Sequence, residues 1–131
     1  MNLLNTHWEF GVFVLLNATL ILLLAINVSR LRIQKKQSLG DGGDKALSKA
    51  IRAHANAIEF VPIYALTILA LSFLNVSEAW LLTLVLGFTA GRILHAYGML
   101  TRVFQARQGG ALLSYLFQAL AIILLLVKLA S

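Results

Sequence analysis

Arg52, Asn56 and Glu59 are spaced i, i+4 and i+7, and Arg92 and His95 are spaced i and i+3 in a later segment. On a helix the first three, with Ile63 at i+11, fall within roughly 60° of one another and share a face. Such a set is built for polar binding. Guanidinium forks match carboxylate or phosphate groups, and an amide such as Asn56 both donates and accepts. The chain has no cysteine, so any sulfur has to arrive with a ligand, and disulfides and thiolate-bound metals are excluded.

The elements that must position these residues are apolar. Of 131 residues, 60% are hydrophobic and 12% charged, values of an integral membrane protein rather than a soluble domain. Four apolar segments, about 8–28, 53–74, 79–100 and 111–127, each approach the ~20 residues that cross a bilayer. The second is expected to start in a cytosolic turn capped by Asp44 or Ser48. The expected fold is therefore all-α: one domain over 1–131, an up-down bundle of four transmembrane helices at about 8–28, 45–74, 79–100 and 110–128. Residues 1–10 carry no Lys or Arg and include Glu9, so the first segment reads as a retained helix rather than a signal peptide.

The net charge of +6 is explained by where the charges fall. Arg30, Arg32, Lys35, Lys36, Lys45 and Lys49 precede the second apolar segment, and Arg102 and Arg107 lie between the third and fourth. By the positive-inside rule both connections are cytoplasmic and both termini lie outside, with Trp8 and Trp80 at the outer interface. Topology and attraction to anionic lipid account for the basic loops without nucleic acid. Gly40, Asp41, Gly42, Gly43 and Asp44 read as a flexible linker, and Gly109 with Gly110 as the second cytosolic turn.

The rise per residue places Glu59 about 10 Å and Arg92 about 12 Å from the cytosolic end. At one level on antiparallel neighbours they are expected to neutralise each other, either as an internal staple or as part of a ligand site. Arg52, Arg102 and Arg107 then leave an excess of positive charge suited to an anionic ligand. Pro62 removes a backbone donor and is expected to kink the second helix beside Glu59. Gly87 with Gly91, and Ala53 with Ala57, form small-xxx-small pairs for close helix contact, while Ser114, Tyr115 and Gln118 make a polar patch on the fourth helix. His54 points to a different face.

The pattern Arg52-x-x-x-Asn56-x-x-Glu59-x-x-Pro62 on the second of four helices, with Ala90, Gly91, Arg92 and His95 on the third, resembles the MAPEG family. These are membrane-associated proteins in eicosanoid and glutathione metabolism; the Gly40–Asp44 turn and the Ala50–Pro62 phrase resemble the small bacterial branch. The resemblance implies a homotrimer in a bacterial inner membrane that binds glutathione as co-substrate, without metal, between neighbouring subunits and from the cytosolic side. It implies that Arg52, Asn56, Glu59 and Arg92 hold the tripeptide, with His95 and Tyr115 at the same site. Arg107, or Arg102 in its place, would stabilise the thiolate. The implied activity is that of a glutathione transferase or peroxidase acting on lipophilic electrophiles or hydroperoxides. Phe60 and Met99 stand where the family often has tyrosine, so two ligand hydrogen bonds are expected to be missing.

Three other readings remain open at the level of sequence. A proton-coupled drug transporter also uses an intramembrane glutamate, here Glu59. A haem-b bundle would use His54 and His95, whose levels differ by about 4 Å. A non-catalytic glutathione-binding scaffold or sensor needs no turnover.

Overall fold

The computed structural model describes residues 7–131; residues 1–6 of the expected single domain lie outside the described part. Four helices follow one another: α1 (Trp8–Lys35), α2 (Lys45–Phe73), α3 (Glu78–Thr101) and α4 (Phe104–Ala130). All four are long and apolar enough to cross a membrane, as the expected all-helical class requires. α2 and α3 form the central pair. α1 packs on both, α4 packs on both, and among the described residues α1 and α4 do not touch.

In lipid the helices gain nothing from apolar contact alone, so packing shape and buried hydrogen bonds must select the arrangement. At the end away from the basic loops, Tyr64 of α2 stacks on Phe88 of α3 with ring centroids 3.8 Å apart and donates its hydroxyl to the Leu84 carbonyl at 2.9 Å. Phe13 of α1 tilts against both rings. Deeper along α1, the fully buried Asn17 donates from Nδ2 to Thr89 Oγ1 at 2.8 Å and to the Phe13 carbonyl at 3.1 Å. These ties fix the register of α1 and α2 on α3. Pro62 lies inside an unbroken α2.

Two helix ends differ from the sequence reading. α1 continues past Val28 to Lys35, because Arg30, Arg32 and Lys35 remain helical after the apolar run stops; hydropathy marks the end of a span, not of a helix. α4 starts at Phe104, so Gly109 and Gly110 are helical rather than a turn. The corner consists of Arg102, in the left-handed region (φ 65°), and Val103. The glycine pair serves close packing, described below.

The first connection is not a loose linker. Arg32 Nη1 donates to the carbonyls of Gln37, Ser38 and Gly40 at 3.3, 3.3 and 2.8 Å. Lys35 pairs with Asp44 at 2.8 Å. Asp44, not Ser48, caps α2, accepting at Oδ1 from the amides of Ala46 and Leu47. Asp41 Oδ1 accepts from the Gly43 amide at 3.0 Å. One guanidinium and two carboxylates thus replace the regular backbone bonding that the glycines forgo.

Both carboxyls are held below the ordinary carboxylate value, Asp44 by its bond with Lys35 and by the Leu47 amide, Asp41 by the Gly43 amide and the Ser48 hydroxyl. A carboxyl depressed in the folded state stabilises it above the unfolded value, and that contribution is lost as pH falls through the lower folded value. NMR titration in detergent is expected to show the Gly43 and Leu47 amides moving with midpoints below the ~3.9 of a free aspartate. Midpoints at or above that value would contradict this bonding.

Candidate functional site

The site is assembled where α2 and α3 run past each other toward the basic end. Arg92 is only 1% exposed although it carries a charge. Ala53 and Ala57, both buried, bring α2 close enough for contact. Arg92 Nη2 donates to Asn56 Oδ1 at 2.5 Å. Its guanidinium carbon lies 5.2 Å from the centroid of the Phe60 ring, which in turn tilts against Tyr115 at 5.7 Å. An amide oxygen and an aromatic face therefore satisfy a charge that lipid cannot solvate. The Nε of Arg92 is buried without a partner among the described residues.

The expected neutralisation of Arg92 by Glu59 is not what the structure shows. Among the described residues the one ion pair within 4.0 Å joins Lys35 to Asp44. Asn56 and Glu59 are three residues apart on one face, and it is the shorter amide that receives the guanidinium. Glu59 and Arg52 are exposed on the outer face of the bundle, with Ile63 beside them. The stripe read from the sequence is real as a stripe. It faces out of the bundle, and only its middle member is tied inward.

One to two turns toward the basic end lies a second cluster. A cavity of about 310 Å³ is lined by Lys49, Gly98, Met99, Arg102, Phe104 and Arg107. It brings together both arginines proposed for thiolate stabilisation and adds Lys49, which the sequence reading passed over. Extending the Arg52 stripe one turn back would have reached it. The Arg107 guanidinium lies over the Phe104 ring at 5.2 Å. No carboxylate lines this cavity, so three cations share one field.

His95, buried on α3, turns to α4: its Nδ1–H donates to the Arg107 carbonyl at 2.9 Å. Tyr115 is 54% exposed on α4, on the same outer side as Phe60. Ser114 is buried and donates to the Gly110 carbonyl of its own helix. His54 is half-buried on another face of α2. Among the described residues no cluster of three or more His, Cys, Asp or Glu suits a metal ion. Phe60 was read as a lost hydrogen bond; the structure gives it a role as the surface on which Arg92 rests.

A charge-bearing helix pair inside a four-helix membrane bundle defines the class. The sequence profile of the MAPEG family matches residues 10–127, and the chain belongs to that family. It is 36% identical over 101 residues, 76% of either chain, to the inner membrane protein YecN of Escherichia coli strain K12. The same identity and coverage hold for YecN of E. coli O6:H1 strain CFT073.

Removing the Asn56 oxygen leaves the Arg92 charge buried without its acceptor. Asn56→Leu is expected to lower stability by about 1.5–3 kcal/mol, read as the unfolding midpoint in detergent. Asn56→Asp, which keeps an acceptor and adds a charge partner, is expected to retain stability. Equal midpoints for Asn56→Leu and wild type would show that Arg92 draws no support from Asn56.

Proposed function

We propose that this chain is a membrane-embedded glutathione-binding protein that activates the bound thiol for attack on lipophilic electrophiles or hydroperoxides. The observation that carries the reading is the outward stripe: Arg52 and Glu59 are exposed at membrane depth beside a half-buried Asn56 that holds the buried Arg92. Ionisable groups at that depth need a partner, a cavity or a ligand in place of hydrocarbon. A second subunit and a zwitterionic tripeptide supply both. We assign the assembly as the homotrimer typical of the family, with the basic end cytoplasmic and both termini outside.

Glutathione carries two carboxylates, an ammonium, two amides and a thiol. Arg52 meets a carboxylate, Glu59 the ammonium and Asn56 an amide, Arg92 adds positive field from behind Asn56, and Tyr115 borders the site from α4. A tripeptide spans about 10 Å when extended, which matches the rise from Arg52 to Glu59. The thiol is then directed to the cavity of Lys49, Arg102 and Arg107, where positive charge lowers its pKa and enriches the thiolate. The thiolate attacks an electrophilic carbon, forming the C–S bond as the electron pair leaves with the displaced group or onto the conjugated system. With a hydroperoxide it takes the distal oxygen, releasing an alcohol. The resulting sulfenic acid reacts with a second glutathione to give disulfide and water.

The free Glu59 carboxylate also meets the first requirement of a proton-coupled transporter. Family membership and the Asn56–Arg92 pair at its side favour glutathione. Purified protein in detergent is expected to conjugate a model electrophile with glutathione faster than the buffer reaction. Arg107→Ala is expected to slow it by about tenfold or more, the equivalent of roughly 1.4 kcal/mol of thiolate stabilisation. Rates equal to buffer, together with no heat of glutathione binding by calorimetry, would overturn the proposal.

A further inference from the structure

We propose that His95 is a positioning residue: by donating from Nδ1–H to the Arg107 carbonyl it fixes the first turn of α4 and aims the Arg107 guanidinium into the cationic cavity. The inference rests on the glutathione reading for its consequence, though not for its geometry.

The first turn of α4 needs an external tie. It follows a two-residue corner whose first member, Arg102, sits in the left-handed region, and its N-cap, Val103, offers no side-chain cap. The opening amides of a helix lack intrahelical partners, and an uncapped first turn frays readily. Arg107 lies in this turn, its amide bonded to the Val103 carbonyl at 3.1 Å. His95, twelve residues earlier on α3, reaches the carbonyl of that same residue at 2.9 Å.

The backbones on either side of this bond are in direct contact. A Cβ on Gly98 would run into the backbone nitrogen and Cα of Arg107, and a Cβ on Gly110 into those of His95. Glycine at these two sites lets α3 and α4 approach until an imidazole on one can reach a carbonyl on the other. The turn carries the side chain with it. The Arg107 guanidinium lies over Phe104 one turn back, and both line the cavity with Lys49 and Arg102. A carbonyl only accepts, so Nδ1 must carry its hydrogen and be spent on the backbone. Only Nε2 remains for any ligand.

Two near-isosteric substitutions separate the roles. The side-chain amide nitrogen of Asn overlays Nδ1 of histidine, whereas that of Gln overlays Nε2. Glutathione affinity is measured by calorimetry, and the thiol pKa of bound glutathione by thiolate absorbance across pH. His95→Asn is expected to keep both at wild-type values. His95→Gln is expected to keep affinity within about twofold and raise the bound thiol pKa by about one unit. Hydrogen exchange without glutathione is expected to show faster exchange at residues 104–110 in His95→Gln alone. Should His95→Gln not fold, Gly98→Ala, which displaces the Arg107 backbone while leaving the His95 side chain unchanged, is expected to give the same rise in thiol pKa.

The opposite pattern, affinity lost in His95→Asn and kept in His95→Gln, makes His95 a direct ligand through Nε2 and overturns the proposal. Exchange at residues 104–110 unchanged by His95→Gln overturns it as well. If wild-type protein binds no glutathione, the glutathione reading fails by itself, and the exchange comparison still decides whether His95 holds Arg107.

Discussion

The structure depends on burying the Arg92 guanidinium in a bundle that lipid surrounds. A charge at this depth costs several kcal/mol unless protein groups solvate it, so α2 must bring partners to it. They arrive as the Asn56 oxygen and the face of Phe60, both on α2, with Tyr115 of α4 backing the Phe60 ring. Meeting that requirement aligns three of the four helices at one level. It also leaves Glu59, the nearest full negative charge on the stripe, free to face outward. A neutral partner for Arg92 keeps its charge uncompensated, a poor choice for a simple staple and a suitable one for holding an anionic ligand.

The seam between α3 and α4 meets a different constraint. Gly91, Gly98 and Gly110 remove side chains where the two backbones meet; a Cβ on Gly91 would lie 2.9 Å from the Ser114 amide nitrogen. Close contact here holds the corner at Arg102 and Val103 tight, which gathers Arg102 and Arg107 around one cavity with Lys49 of α2. The polar pair of α2 and α3 and the glycine seam of α3 and α4 thus build neighbouring parts of one cationic region from unlike interactions. α1 serves it indirectly, by pinning α3 through Asn17 and Thr89.

Much of this was legible in the residues. Four apolar stretches and the placement of basic residues specify the helices and their alternation, since lipid permits few alternatives. The Arg52, Asn56, Glu59 face followed from helical period alone. Other features were not legible, for physical reasons. Depth arithmetic places Glu59 level with Arg92 and Asn56 about one turn nearer the basic end, and only packing brings the guanidinium to the amide instead of the carboxylate. A Gly-Gly pair reads as a turn in water-soluble logic, whereas inside a membrane bundle Gly110 is a contact surface. The basic residues that end the apolar run of α1 do not end its helix, and the glycine-rich loop owes its order to Arg32, a residue the sequence offered only as a topology signal.

The central claim is that the outward Arg52–Glu59 stripe is covered by a second copy of the chain with glutathione between them. Native mass spectrometry of the detergent-extracted protein, with and without glutathione, tests it most directly. The account predicts a trimer that takes up to three glutathione molecules, uptake that Glu59→Gln reduces about tenfold or more through loss of the ammonium contact. A monomer that adds no glutathione, or a trimer whose uptake is indifferent to Glu59, would contradict it.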